Sequence, residues 1–373
     1  MLQRYLRLSV LPVMVTSVLL GGCSSAATTA PATAAPATAA PGTAAPATAA
    51  PATAAPATQA GPPIVLGLSN SYIGSSWRPQ MLTDFETEAK QLVSSGKISR
   101  YVMQSADNTV ATQISQINDM VASGVNLLII DAASYNGLDA VVDQVVAQGV
   151  TVVSFDNVVQ TTKAVNLLQD EDIISNSSAQ AIADLVNHTG TVVLMLGVAG
   201  SPLSDDRQKR AESVFKQYPN IKILEAYGQW NAAVAKTQMA TILSENPNIA
   251  GVWTQGDMFA GIEGAFTDAG KTVPPIVVDG TYEGLNWWNA HLASGYKTVG
   301  IVVPPAEVLD AISVGLLIRQ GCTPKSNPLV LSHPLITNDT ISQYLNPSAP
   351  AADFIDTRLV PEDQLPVKYL TCP

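Results

Sequence analysis

The chain has 373 residues, 13% charged and 47% hydrophobic, with a formal net charge of −11. Residues 1–63 hold no Asp or Glu, two arginines and nine of the 25 prolines, so the other residues carry 17 basic side chains against 30 acidic ones. That acidic balance excludes a nucleic-acid binder, which needs a basic face to displace counterions, and the length is more than one small core usually covers.

Met1 to Gly22 reads as an export signal. Arg4 and Arg7 form a positive start, Leu8 to Leu20 an apolar run, and Leu20-Gly21-Gly22-Cys23 a small-residue ending. The run is shorter than the roughly 20 residues of a spanning helix. The ending resembles a lipoprotein cleavage site, which implies a signal peptide over 1–22 and lipidation of Cys23. Residues 23–61 then form a linker, with Pro31, Pro36, Pro41, Pro46, Pro51 and Pro56 repeating every fifth position. Such a segment has little to bury, is expected to stay disordered, and at about 3 Å per residue reaches up to roughly 100 Å. With one cysteine on lipid, Cys322 and Cys372 remain, and in an oxidising compartment they are expected to pair as a disulfide.

From Ile64 onward, short apolar runs alternate with helical patterns. Strands are predicted over Ile64–Leu68, Tyr101–Gln104, Leu127–Ile130, Thr151–Ser154, Thr191–Leu196, Ile221–Ala226, Gly251–Thr254, Ile276–Val278 and Thr298–Val303. Continuous rather than alternating runs suit parallel strands buried on both faces. Helices are predicted between them, as over Thr109–Ala122, where Ile114, Ile117 and Val121 share a side. The fold class is α/β, with two doubly wound parallel-sheet lobes. Residues 62–169 with 303–330 make the N-terminal lobe, and 170–302 with 331–373 make the C-terminal lobe and tail.

In such sheets ligands bind beyond the carboxyl ends of the strands. The residues there include Asn70, Trp77, Asp131, Asp156, Arg207, Trp230 and Asp279. Aromatic faces suit the C–H surface of a sugar, and paired polar groups suit its hydroxyls. No HExxH, GxSxG, CxxC or complete phosphate loop occurs, so neither an enzyme nor a metal or cofactor site is expected. His188, His291 and His333 are isolated.

In order and spacing these pieces resemble the periplasmic binding proteins of the ribose/galactose type, the solute receptors of ABC sugar importers. Gly67-Leu68-Ser69-Asn70 and Trp77 look like the opening strand and stacking aromatic, and Val152 to Asp156 like the strand ending in a ligand-binding Asp. Arg207 aligns with a ligand-binding Arg, Thr254 to Met258 resembles a Gln-Asn-Asp motif, and Val277 to Thr281 resembles the Phe-Asp-Gly-Thr strand end. Gly256 stands where that motif has a ligand-binding Asn, and Val302 near a ligand-binding Gln. The resemblance implies a hinged two-lobed receptor, a monomer anchored by lipid outside the cytoplasm. It would bind a sugar or sugar-like polyol between its lobes and pass it to a membrane permease. A receptor for a chemosensory or kinase system is the alternative output.

Overall fold

The computed structural model describes residues 62–74 and 76–373. The expected signal peptide, Cys23 and the linker over 23–61 all lie outside the described residues.

The first lobe is built on β1 (Val65–Asn70), β2 (Arg100–Ser105), β3 (Leu127–Ile130), β4 (Thr151–Ser154) and β5 (Val165–Gln169). All pair in parallel in the order β5-β4-β3-β1-β2. β3 is buried at all four residues, which is why it reads as an unbroken apolar run. Helix α1 (Trp77–Ser94) packs on one face, and α2 (Val110–Ala122) and α3 (Asp139–Ala147) on the other. Thr109 starts α2 by accepting the Thr112 N–H through its hydroxyl.

The second lobe repeats the plan with β6 (Gly190–Leu196), β7 (Ile221–Tyr227) and β8 (Gly251–Thr254), in the order β7-β6-β8. Its sheet is continued by single parallel bridges, Val252 to Ile276 and Val278 to Gly300. The strands expected over Ile276–Val278 and Thr298–Val303 are therefore isolated bridges, not full ladders. Helices α4 (Ser178–Leu185) and α5 (Pro202–Phe215) cover one face. Helices α6 (Ala232–Glu245), α7 (Phe259–Asp268) and α8 (Tyr282–His291) cover the other.

The chain then returns to the first lobe through α9 (Glu307–Arg319), β9 (Thr323–Pro324) and β10 (Leu329–Leu331), with β10 pairing in parallel with β5. Ile336 and Ile341 join the core of the second lobe. Here the expected boundary needs correction, because the tail does not stay there. Phe354, Leu359, Val360 and Leu365 of α10 (Leu365–Lys368), with Leu370 of β11 (Leu370–Thr371), are buried in the first lobe's core. Apolar spacing favours that return, since Leu359, Val360, Leu365 and Leu370 would otherwise stand in water. The tail is fastened by the Cys322–Cys372 disulfide, S–S 2.04 Å.

In both sheets the strand order reverses beside the first strand, so crevices open at the carboxyl ends of β1 and β3 and of β6 and β8. Asn70, Asp131, Gly197 and Gln255 stand at or just after these ends.

Candidate functional site

A cavity of about 50 Å³ lies where the two sets of strand ends face each other. Tyr72, Trp77, Arg78, Asp156, Leu203, Arg207, Trp230, Asp257 and Asp279 are among its lining residues. It adjoins a wider chamber of about 1080 Å³ that shares Tyr72, Asp156, Asn157, Leu203 and Trp230 as its wall. Of the residues expected from sequence, Trp77, Asp156, Arg207, Trp230 and Asp279 line the inner cavity; Asn70 and Asp131 do not.

Asn70 and Asp131 are fully buried, one layer behind. Their work is to hold Arg78, the second residue of α1. Its Nη1 donates to Asn70 Oδ1 at 3.2 Å and is paired with the Asp131 carboxylate. Its Nη2 donates to Asp156 Oδ2 at 3.1 Å. The guanidinium carbon sits 5.1 Å from the ring centroids of both Tyr72 and Trp77, a cation held between aromatic faces. Asn157 Nδ2 donates to Asp156 at 2.9 Å and to Asp131 at 3.4 Å, tying the two carboxylates together. Burial raises the Tyr72 hydroxyl pKa, partly offset by the nearby Arg78 charge.

Arg207, in the second turn of α5, is committed differently. Its Nε and Nη2 clasp the Glu171 carboxylate at 2.8 to 3.1 Å, Nη1 donates to the Gln255 carbonyl at 3.3 Å, and Nη2 also faces Gln169 Oε1 at 3.5 Å. Burial works against its charge, but the Glu171 carboxylate outweighs it and the pKa is raised. Gln169 Nε2 in turn donates to Glu307 Oε2 at 2.6 Å. Burial pushes the Glu307 carboxyl well above the usual range, and Asp156 adds to the push. A chain of polar groups thus runs from α5 through the crossing after β5 to the start of α9.

Asp279 is also largely spoken for. Its Oδ2 accepts the Met258 and Phe259 N–H groups at 2.7 and 2.9 Å, capping α7, and its Oδ1 accepts the Thr281 hydroxyl at 2.9 Å.

Trp77 donates its indole N–H to the Val303 carbonyl at 2.9 Å, fixing it to the interlobe crossing. Trp230 approaches Gly197 so closely that a Cβ there would stand 2.2 Å from its Cε2. It has φ of 49°, and Asn108, Asp156 and Asp257, which also line the cavity or the chamber, have positive φ near the ends of strands. Left-handed backbone clustered there aims side chains into the cleft at a conformational cost. Val302 is buried in the second lobe's core and is not among the residues lining the cavity. The wall beside the crossing is instead apolar, made by Val303, Phe354 and Leu203.

Sequence reasoning passed over Arg78, Tyr72 and Glu171. An arginine in the first turn of a helix reads as a surface residue, and only the adjacent Trp77 hinted otherwise.

The periplasmic binding protein domain matches residues 66–314. The chain is 26% identical over 268 residues to the xylitol-binding protein of Mycolicibacterium smegmatis, covering 70% of this chain and 76% of that one. It is 24% identical over 222 residues to the ribose import binding protein of Bacillus subtilis, covering 59% and 71%. An ABC transporter solute binding protein from Thermobispora bispora superposes with a TM-score of 0.71 at 23% identity, covering 82% of this chain and 94% of that one.

Proposed function

The chain belongs to the periplasmic binding protein domain family, and from that premise we propose that it is the solute receptor of an ABC importer, binding a sugar or sugar-like polyol between its lobes. It is a binding protein and not an enzyme, and the family works outside the cytoplasm. The carrying observation is the space at the facing strand ends, where the inner cavity around Tyr72, Trp77, Trp230 and the Arg78–Asp156 pair opens into the chamber of about 1080 Å³ that gives a five-carbon solute room. An aromatic ring covers the C–H face of a small ring or chain, while the guanidinium and carboxylate offer a donor and an acceptor to neighbouring hydroxyls. Among the curated relatives, one is named for xylitol and another for ribose import, which supports a five-carbon polyol or pentose. The apolar wall of Leu203, Val303 and Phe354 favours a solute with one poorly hydroxylated side.

In this reading Asp156, Arg78 and Trp230 touch the solute. Arg207 and Asp279 contribute their remaining donor and acceptor capacity, and Trp77 forms part of the wall. Asn70 and Asp131 serve the site by holding Arg78. Cys23 carries a lipid, the proline-rich segment is a spacer, and the receptor is a monomer that presents its loaded form to a permease. Ligand shifts closure only by its extra affinity for the closed form.

The test is a thermal-shift screen of pentitols, pentoses, hexoses and glycerol, followed by calorimetry. A saturable rise in Tm with a five-carbon polyol or sugar is expected. No rise with any of them would overturn the reading.

A further inference from the structure

At the rim of the inner cavity the two lobes touch directly. Ser76, at the start of α1 in the first lobe, donates its backbone N–H to Asp257 Oδ2 at 3.0 Å and its hydroxyl to Oδ1 at 2.5 Å. Asp257 belongs to the second lobe, in the turn between β8 and α7. Among the described residues, the Ser76 side chain caps none of the N–H groups of α1, and the first turn holds no acidic residue. An 18-residue helix therefore points its first N–H groups and a partial positive charge at the cleft. The carboxylate that meets them comes from across the gap. Its backbone is turned for this, with φ of 56° at Asp257 and 120° at Gly256.

We propose that Asp257 is a positioning residue for closure, completing the N-terminus of α1 from the opposite lobe so that the bond exists only when the cleft is shut. The inference rests on the reading of the cleft as a hinged trap and adds to it a latch that needs no solute. In the open form Ser76 and Asp257 both return to water, and α1 loses its cap. Closure therefore has a bias of its own, and solute adds to it.

The latch carries a sign in pH. Burial pushes the Asp257 carboxyl up to about 7, with repulsion from Asp279 adding to the push and the Ser76 bonds opposing it. Around it stand Asp279 and Arg207 of its own lobe and Tyr72, Arg78 and Asp156 of the other. An open cleft returns this carboxyl to water and towards its ordinary value. The closed form thus takes up a proton as pH falls through 7, and closure strengthens towards pH 5 and weakens towards pH 8.

The experiment measures the interlobe distance in the full chain without solute, by pulsed paramagnetic resonance between labels at Lys97→Cys and Glu245→Cys. Both positions are exposed, one in each lobe. At pH 5 to 6, where the closed carboxyl holds its proton, Asp257→Gly suits the left-handed backbone and is expected to lower the closed-to-open ratio about fivefold to tenfold, the scale of neutral hydrogen bonds. Ser76→Ala should lower it less, because the backbone donor remains, and should add nothing on the Asp257→Gly background. Asp257→Asn, which also tolerates this backbone and resembles the protonated acid, should stay closed and lose the pH dependence. An unchanged distance in Asp257→Gly, or a Ser76→Ala effect that persists without Asp257, would overturn the latch. Since no solute is used, a failed solute screen and a failed latch give separate results.

Discussion

Arg78 and Arg207 look equivalent at first sight: each is 3% exposed, each comes from an early turn of a helix, and each lines the same cavity. Their partners separate them. Arg78 spends its Nη groups on Asn70, Asp131 and Asp156, leaving its Nε–H and one Nη2 hydrogen uncommitted. Arg207 spends every nitrogen on Glu171, Gln169 and the Gln255 carbonyl, leaving one Nη1 hydrogen. One arginine keeps two free donors facing the cavity; the other keeps one and is otherwise committed to joining α5 to the interlobe crossing. A buried guanidinium at a binding cleft is thus not in itself a ligand contact, and its unspent donors decide.

The sharpest way to break that contrast is to remove each arginine. Arg78→Ala should abolish solute binding in calorimetry, a loss above about 100-fold, from the loss of its donors and of the ordered Asp156. It should also destabilise the fold by about 3–5 kcal/mol, because Asp131 and Asp156 lose their buried counterion. Arg207→Ala should cost similar stability, since Glu171 loses its partner, but no more than about tenfold in affinity. An affinity loss at Arg207 larger than at Arg78 would reverse the assignment.

A middle-sized effect is expected at Gly197, which touches neither arginine. Its added methyl in Gly197→Ala meets the Trp230 ring at an impossible 2.2 Å, so the indole must move. A loss of about tenfold in affinity is expected with the charge network intact, from lost aromatic cover. Retained affinity would show that Trp230 does not cover the solute. Smaller still is Asp131→Asn, which keeps the shape behind Arg78 but removes one of its two countercharges. A loss of a few fold in affinity, with a fall of about 1–2 kcal/mol in denaturant unfolding, is expected.

The same contrast explains what the sequence made legible. The parallel strands were readable because both their faces are buried, so β3 and β8 appear as plain apolar runs. β5 was not, because Asn166 interrupts it. That side chain is buried and bonded to Ser154 Oγ at 2.5 Å and to the Val159 carbonyl at 3.0 Å, and such satisfaction is invisible in the chain order. Strand ends pointed to Asn70 and Asp131, yet whether such a residue faces the cavity or stands behind it depends on Arg78, eight residues beyond one and more than fifty before the other. Asp257 was read only as part of a motif, because a contact between lobes leaves no local periodicity.

The tail gives the case in which neither arginine should feel a change. Reducing the Cys322–Cys372 bridge frees a segment of 50 residues and should lower stability by about 2–4 kcal/mol on loop-entropy grounds. Asp310 of α9 holds the same tail by accepting the Leu359 N–H at 2.8 Å. Burial pushes the Asp310 carboxyl up to about 7, against the pull of that bond and of Arg358. A folded-state pKa raised above the unfolded value means stability that is fully present below about pH 4 and lost as pH rises through 7. Asp310→Asn should therefore flatten the fall in unfolding free energy between about pH 4 and 7. Solute affinity at fixed pH should be unchanged in both experiments, because the tail's fastening and the cleft's arginines share no bond. A matching loss of affinity would mean that the tail positions Phe354, which forms part of the cavity wall, and the contrast between the two arginines would then need the tail as a third term.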